Sequence, residues 1–165
     1  MADNESRPVR LLLVDDEEDL VDFLSQRLVK RGFVVQTATL GERAVELAGD
    51  SVFDVAVVDL KLPDMDGIAV IRELKRLQPF VETIMLTGHG SHETALEAGK
   101  LQTYRYLLKP YDFEQLIEKI GSAVQARRTA LRASYLKELQ ELRRRSSARE
   151  IKAETERLRR RYEQP

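Results

Sequence analysis

Apolar residues in this chain come in short dense runs separated by longer stretches in which they recur at wider spacing. VRLLLV (9–14), FVVQTA (33–38), DVAVVD (54–59), VETIMLT (81–87) and YRYLLK (104–109) are the dense runs. Their apolar positions are nearly continuous, the mark of strands covered on both faces. The intervening stretches read as helices. After the first run, Leu20, Phe23, Leu24 and Leu28 fall at helical spacing, and Gly32 stands where a helix stops. Thr39 is placed to cap a helix over 40–49. IAVIRELKRL (68–77) is helical and ends before Pro79. Ser91 can cap a short helix to about Ala98. Asp112 opens another, with Gln115 three residues on as in a capping box.

Five strands alternating with five helices imply an α/β fold, a doubly wound five-stranded parallel sheet with helices on both faces. In such sheets, ligand chemistry sits outside the carboxyl ends of the strands, near the point where strand order reverses. No strand follows residue 110. From Asp112 to Tyr162 there is no proline, and Gly121 is the only glycine. The last helix is therefore expected to run past the domain as an extended C-terminal helix. Leu131, Tyr135, Leu139 and Leu142 give it an apolar stripe, which RRRSS (143–147) weakens and Ile151, Leu158 and Tyr162 resume. As one helix, residues 126–162 would span roughly 55 Å.

Charge divides the chain in the same place. Residues 1–126 hold 14 Lys+Arg against 22 Asp+Glu, and residues 127–165 hold 13 against 6. An acidic body thus carries a basic tail, and the net charge of −1 conceals it. The expected organisation is a flexible N-terminus over 1–7, a domain over 8–125, and a basic helical extension over 126–165 that is a candidate coiled coil. The absence of cysteine excludes disulfides and thiolate metal sites. No run approaches the roughly 20 apolar residues of a membrane-spanning helix, and MADNESRPVR lacks the apolar centre of a signal peptide. The reading is a soluble cytoplasmic protein with no membrane partner.

The strand ends carry the candidate chemistry. Asp15 and Asp16 close the first run, Asp59 the third, Thr87 the fourth and Lys109 the fifth. A switch point between the first and third strands would gather the three acids in one crevice. Crowded carboxylates raise one another's pKa unless a cation intervenes. Mg²⁺, which takes one or two carboxylates and keeps several waters, suits them. With Lys109, the Thr87 hydroxyl and room beside Gly88, such a cluster is what a transferred phosphoryl group needs: cations on its oxygens and a carboxylate to attack phosphorus. Gly67 supplies backbone freedom after Asp59. Asp64 and Asp66 are expected to solvate a turn and cap the next helix.

LLLVDDEEDL, VVDLKLPDMDG, TIMLTGHGS and YLLKPYD, in this order and spacing, closely resemble the receiver domain of bacterial two-component response regulators. The likeness covers residues 8–125. It implies a flavodoxin-like sheet in order 2-1-3-4-5. It also implies Asp59 as phosphoacceptor, Asp16 as a direct Mg²⁺ ligand, Asp15 mainly through water, and the Lys61 backbone carbonyl on the metal. Thr87 would hydrogen-bond the phosphoryl group, Lys109 would pair with one of its oxygens, and Lys109–Pro110 would be a cis peptide. Tyr106 would be an aromatic switch, turning inward as Thr87 moves. The partner implied is a histidine kinase or phosphotransfer protein, and the responding face is the one built from the fourth helix, fifth strand and fifth helix. Gln102 and Thr103 stand where relatives usually have glycine and alanine, and Lys61 and His89 occupy variable positions. Such a receiver catalyses only its own phosphorylation and dephosphorylation and is not an enzyme acting on an outside substrate.

Plainer readings compete at each position: helix caps or surface acids for the aspartates, a core aromatic for Tyr106, a solvated loop histidine for His89. His89 and His92 are too few for a zinc site to be preferred. For the tail, a homodimer through the C-terminal helix is favoured over a solvated helix or docking onto a kinase. Nucleic acid is disfavoured: RRR (143–145) and RLRRR (157–161) attract phosphates, but no helix-turn-helix, finger or aromatic platform accompanies them. Two rivals remain. One is a phosphatase-like hydrolase, which would need an acid where Lys61 stands. The other is the N-terminal receiver and linker of a longer DNA-binding transcriptional regulator.

Overall fold

The computed structural model describes residues 7–88, 105–145 and 148–163. In chain order the elements are β1 (Arg10–Val14), α1 (Glu18–Lys30), β2 (Val34–Ala38), α2 (Gly41–Asp50), β3 (Val55–Asp59), α3 (Gly67–Leu77), β4 (Glu82–Thr87), β5 (Arg105–Leu108), α4 (Phe113–Arg145) and α5 (Ala148–Glu163). All strand pairs are parallel, and the sheet order is β2-β1-β3-β4-β5. β1, at the chain's start, is therefore an interior strand, and the order reverses between it and β3. The expected helix from Ser91 to about Ala98, with His89, His92, Gln102 and Thr103, lies outside the described residues, as does the expected flexible N-terminus apart from Arg7.

Strand residues alternate between two cores because successive side chains leave a strand on opposite faces. Leu11, Leu13, Val55, Val57, Ile84 and Leu86 face α1 and the start of α4, where Leu24, Leu28, Leu116 and Ile120 are buried. Leu12, Val14, Ala56, Val58 and Met85 face α2 and α3, against Ala44, Val70, Ile71 and Leu74. Burial on both faces explains the unbroken apolar runs of β1, β3 and β4, whereas the edge strands β2 and β5 leave Val34, Tyr106 and Leu108 exposed.

Local signals set three of the helix ends. α1 closes where the sequence predicts: Gly32 has φ +89°, the Gly32 N–H donates to Val29 O at 2.9 Å, and the Phe33 N–H donates to Leu28 O at 3.2 Å. This pair of bonds is a Schellman closure, and its left-handed residue favours glycine. Asp66 caps α3 by accepting the Ile68 N–H at 2.7 Å, and the Gln115 side chain accepts the Asp112 N–H at 3.0 Å at the start of α4. α2 departs from expectation. Thr39 does not cap it; the flanking residue is Leu40, which offers no side-chain acceptor. The cap comes from Asp64, 22 residues on, which accepts the Gly41 and Glu42 N–H groups at 2.9 and 2.8 Å. A cap supplied across the fold leaves no local sequence signature.

Two compact units divide the chain, Pro8–Ala126 and a second that includes the residues from Arg127 onward, so α4 contributes to both. The second unit corrects the expectation of one uninterrupted helix. α4 ends at Arg145, α5 begins at Ala148, and α5 folds back along α4. Tyr162 packs edge-on against Tyr135, with ring centroids 5.8 Å apart, and its hydroxyl meets Ser134 at 2.8 Å and Glu138. Arg161 pairs with Glu138 at 3.0 Å, and Leu131 and Leu158 are buried. A helix this polar is marginal alone, and folding back lets its apolar residues find partners in the same chain.

Candidate active site

The β1–β3 register sets Val14 beside Val58, so Asp15 and Asp59 leave the sheet side by side at its carboxyl edge. Asp16 follows. Oxygens of Asp15, Asp16 and Asp59 all lie within 4.8 Å of one another. Asp15 is fully buried, Asp59 nearly so, and Asp16 exposed. Lys109 arrives from the end of β5. Its Nζ sits 2.7 Å from Asp15 Oδ2, 2.6 Å from Asp59 Oδ2 and 3.6 Å from Glu17 Oε1. Lys109–Pro110 is a cis peptide, as expected.

Burial pushes the Asp15 carboxyl above its ordinary pKa, and the Asp59 charge adds to that; Lys109 and the Glu17 N–H, 3.0 Å from Asp15 Oδ1, pull the other way. Burial opposes the Lys109 ammonium, but its hydrogen bonds to Asp15 and Asp59 prevail and raise its pKa above the usual value. Lys109 is therefore a fixed cation at any physiological pH.

The loop after β3 is pinned to the strand it leaves. The Lys61 N–H donates to Asp59 Oδ1 at 3.0 Å, and Lys61 bridges to Asp66. Gly67 has a reason other than the expected backbone freedom: a Cβ there would lie 2.2 Å from the Asp59 carbonyl oxygen. Close approach of two backbones demands glycine here. Gly88, exposed, has open space where a Cβ would be.

Of the sequence-predicted site residues, Asp15, Asp16, Asp59 and Lys109 converge. Lys61 adjoins them through its backbone. Thr87 ends β4 opposite Leu108, one residue from Lys109; its side chain lies outside the described parts. Tyr106 stands apart on edge strand β5, 51% exposed, beside an open groove of about 410 Å³ shared with Arg105, Leu108, Pro110, Gln115 and Lys119. Two neighbours were not anticipated. Glu17 approaches Lys109, and only the acidity of DDEE hinted at it. Tyr111 packs its ring against the core, and its buried hydroxyl has no hydrogen-bond partner among the described residues. Burial raises the pKa of that phenol, which also lies within the fields of Lys109, Asp15, Asp59 and Glu17.

Residues 11–121 match the family model for the response regulator receiver domain. The chain belongs to that family. The receiver is 37% identical over 116 residues to the transcriptional regulatory protein ZraR of Escherichia coli K12, an alignment covering 70% of this chain and 26% of that protein. It spans about a quarter of the length of the curated relatives it matches. Among solved structures, a CheY-like receiver domain protein from Methanospirillum hungatei superposes with TM-score 0.72 at 28% identity, covering 74% of this chain and 98% of that one. A response regulator from Burkholderia pseudomallei, crystallised with a phosphorylated aspartic acid, calcium ion and citrate, gives TM-score 0.65 at 32% identity, covering 76% and 72%. Receivers of this family bind Mg²⁺ through such an acidic cluster, and the donor set here fits: three carboxylates of hard oxygen, one of them destabilised by burial. Among the described residues no helix is long and apolar enough to cross a membrane.

Proposed function

We propose that this receiver accepts a phosphoryl group on Asp59 from a histidine kinase or phosphotransfer protein. The observation that carries the reading is the Lys109 ammonium held between Asp15 and Asp59 at 2.7 and 2.6 Å, beside a third carboxylate. An Asp59 carboxylate oxygen attacks phosphorus of the donor's phosphohistidine. An O–P bond forms, the N–P bond breaks, and the imidazole keeps the electron pair. Lys109, already against Asp59 Oδ2, follows the new group and pairs with one of its oxygens. Asp15 and Asp16, with the Lys61 carbonyl, would hold Mg²⁺, whose contribution is to neutralise the phosphoryl oxygens. Thr87 would donate its hydroxyl to another oxygen. Water attack on phosphorus later returns the carboxylate and releases inorganic phosphate. The chain modifies only itself in this cycle.

Phosphorylation adds about −1.5 to −2 charges. In this reading Thr87 moves toward them and Tyr106 turns in from its exposed position, changing the surface around β5 and with it self-association or partner choice. A small phosphodonor with Mg²⁺ tests the site: acid-labile phosphate should enter the wild type and not Asp59→Ala, and equal uptake by the variant would refute the assignment. For the output, sedimentation velocity with and without beryllofluoride should show a change in association state of the full chain.

The relatives favour a second reading. ZraR and GlrR are named transcriptional regulatory proteins, and the matched part is about a quarter of each. The chain would then be the receiver and linker of a longer DNA-binding regulator. A reading frame continuing past Pro165 into an effector domain would establish it.

A further inference from the structure

The loop from Leu60 to Asp66 carries the Lys61 carbonyl and has to hold its shape without regular structure. At its Asp59 end the Lys61 N–H bonds Asp59 Oδ1 at 3.0 Å and the Gly67 N–H bonds Leu60 O at 2.9 Å. At its α3 end Asp66 caps the helix. At its outer end the side-chain hydrogen bonds come from Asp64. One carboxylate oxygen accepts the Gly41 N–H at 2.9 Å, and the other accepts the Glu42 N–H at 2.8 Å. These are the first N–H groups of α2, which an α-helix cannot satisfy itself and which here have no local cap. Both bonds hold the Asp64 carboxyl below its ordinary pKa.

Packing repeats the link. A Cβ on Gly41 would lie 2.3 Å from Met65 Cγ, so the loop's methionine rests directly on the first residue of α2. Two consecutive loop residues, one polar and one apolar, therefore grip one helix terminus. The loop is bound at three points, and removing one should let Lys61 wander.

We propose that Asp64 is a positioning residue for the metal-binding site: its two-oxygen clamp on α2 holds the loop so that the Lys61 carbonyl faces the ion. This rests on the assignment of Asp59 and its neighbours made above. Asp64 itself touches neither metal nor phosphoryl group. The coupling is reciprocal, since whatever loads the site also tightens the clamp. Divalent-ion binding should slow amide exchange at Gly41 and Glu42.

The test compares wild type, Asp64→Ala and Asp64→Asn as full chains, by titration calorimetry with Mg²⁺ and by hydrogen exchange at Gly41 and Glu42. Asparagine keeps one of the two acceptors, sets an NH2 group against the other N–H, and carries no charge. Asp64→Ala should bind Mg²⁺ on the order of tenfold more weakly, as loss of a group orienting a ligand commonly does, and should exchange faster at both amides. Asp64→Asn should fall between the two in affinity and should exchange faster than the wild type at one of the amides only. Wild-type Mg²⁺ affinity in Asp64→Ala, with faster exchange, would overturn the proposal and leave Asp64 a cap for α2 alone. Equal weakening in both variants while Asp64→Asn keeps one amide protected would also overturn it, because charge rather than the clamp would be responsible. If the wild type bound no Mg²⁺ while its α2 amides stayed protected, the site assignment would have failed and the proposal with it.

Discussion

Lys109 Nζ stands 2.6 Å from Asp59 Oδ2, although 50 residues separate the two in sequence. The contact exists because β3 and β5 deliver their carboxyl ends to the same edge of the sheet. It also keeps Asp15 and Asp59, both buried, from facing each other without a counter-ion.

Lys109→Met should therefore be costly in metal-free buffer. It strips the shared cation from two buried carboxylates, and breaking such a buried pair costs several kcal/mol. Because part of Lys109 reaches solvent, about 2–3 kcal/mol is expected. Denaturant melts in chelator at neutral pH should show the loss, and Mg²⁺ should restore part of it. The variant's deficit should shrink as pH falls and Asp15, whose pKa burial raises, protonates. A wild-type melt at neutral pH would mean the cluster needs no lysine.

Glycines in this chain should divide sharply on replacement by alanine. At Gly67 the new methyl meets Asp59 O and Leu60 Cα, backbone that cannot step aside. The expected cost is about 1–3 kcal/mol, as for overpacking, together with weakened Mg²⁺ binding. Gly121, within α4, has open space around it. Alanine there should stabilise by about 0.5–1 kcal/mol through helix propensity. Thermal denaturation of the two variants checks both signs.

The folded-back helices should open when Glu138 is removed. Its carboxylate receives both Tyr162 and Arg161. Glu138→Ala should speed tryptic cleavage among Arg157–Arg161 several-fold while cleavage at Arg72 and Arg76 stays unchanged. Uniform acceleration at both places would point to global unfolding.

Acid should release the cap of α2 before it unfolds the sheet. Asp64 has a folded pKa below the ordinary 3.8, so its contribution is complete above about that pH. It is lost as pH falls through the lower folded value. Amide signals of Gly41 and Glu42 should shift in that acid window in the wild type and not in Asp64→Asn.

The parallel sheet and the placing of Asp15, Asp16, Asp59 and Lys109 at strand ends were legible because each depends on local pattern plus position, whereas the strand order came only from the resemblance to receivers. Apolar runs mark strands buried on both faces, and residues ending parallel strands share one edge. What escaped depended on distant partners. Asp64 reads as a local turn former, and only the fold places it under α2. Gly67 reads as a flexible hinge, yet its role is set by a carbonyl oxygen eight residues back. The end of α4 at Arg145 was hidden because RRRSS breaks an apolar stripe without the proline or glycine that usually announces a helix end. Tyr111 carried no sequence signal of its own; its ring packs against the core, and only its hydroxyl concerns the site.

The alternation of β1 and β3 between two cores carries a lesson about insertions. Adding or deleting one residue within β1 would send Leu11 and Leu13 to the face that Leu12 and Val14 now fill, and would turn Asp15 away from Asp59. Exchange of one apolar residue for another is far milder. Across a lineage, these two strands should be free to drift in composition and almost forbidden to change in length, so that indels collect in the connections at the opposite end of the sheet from the carboxylates.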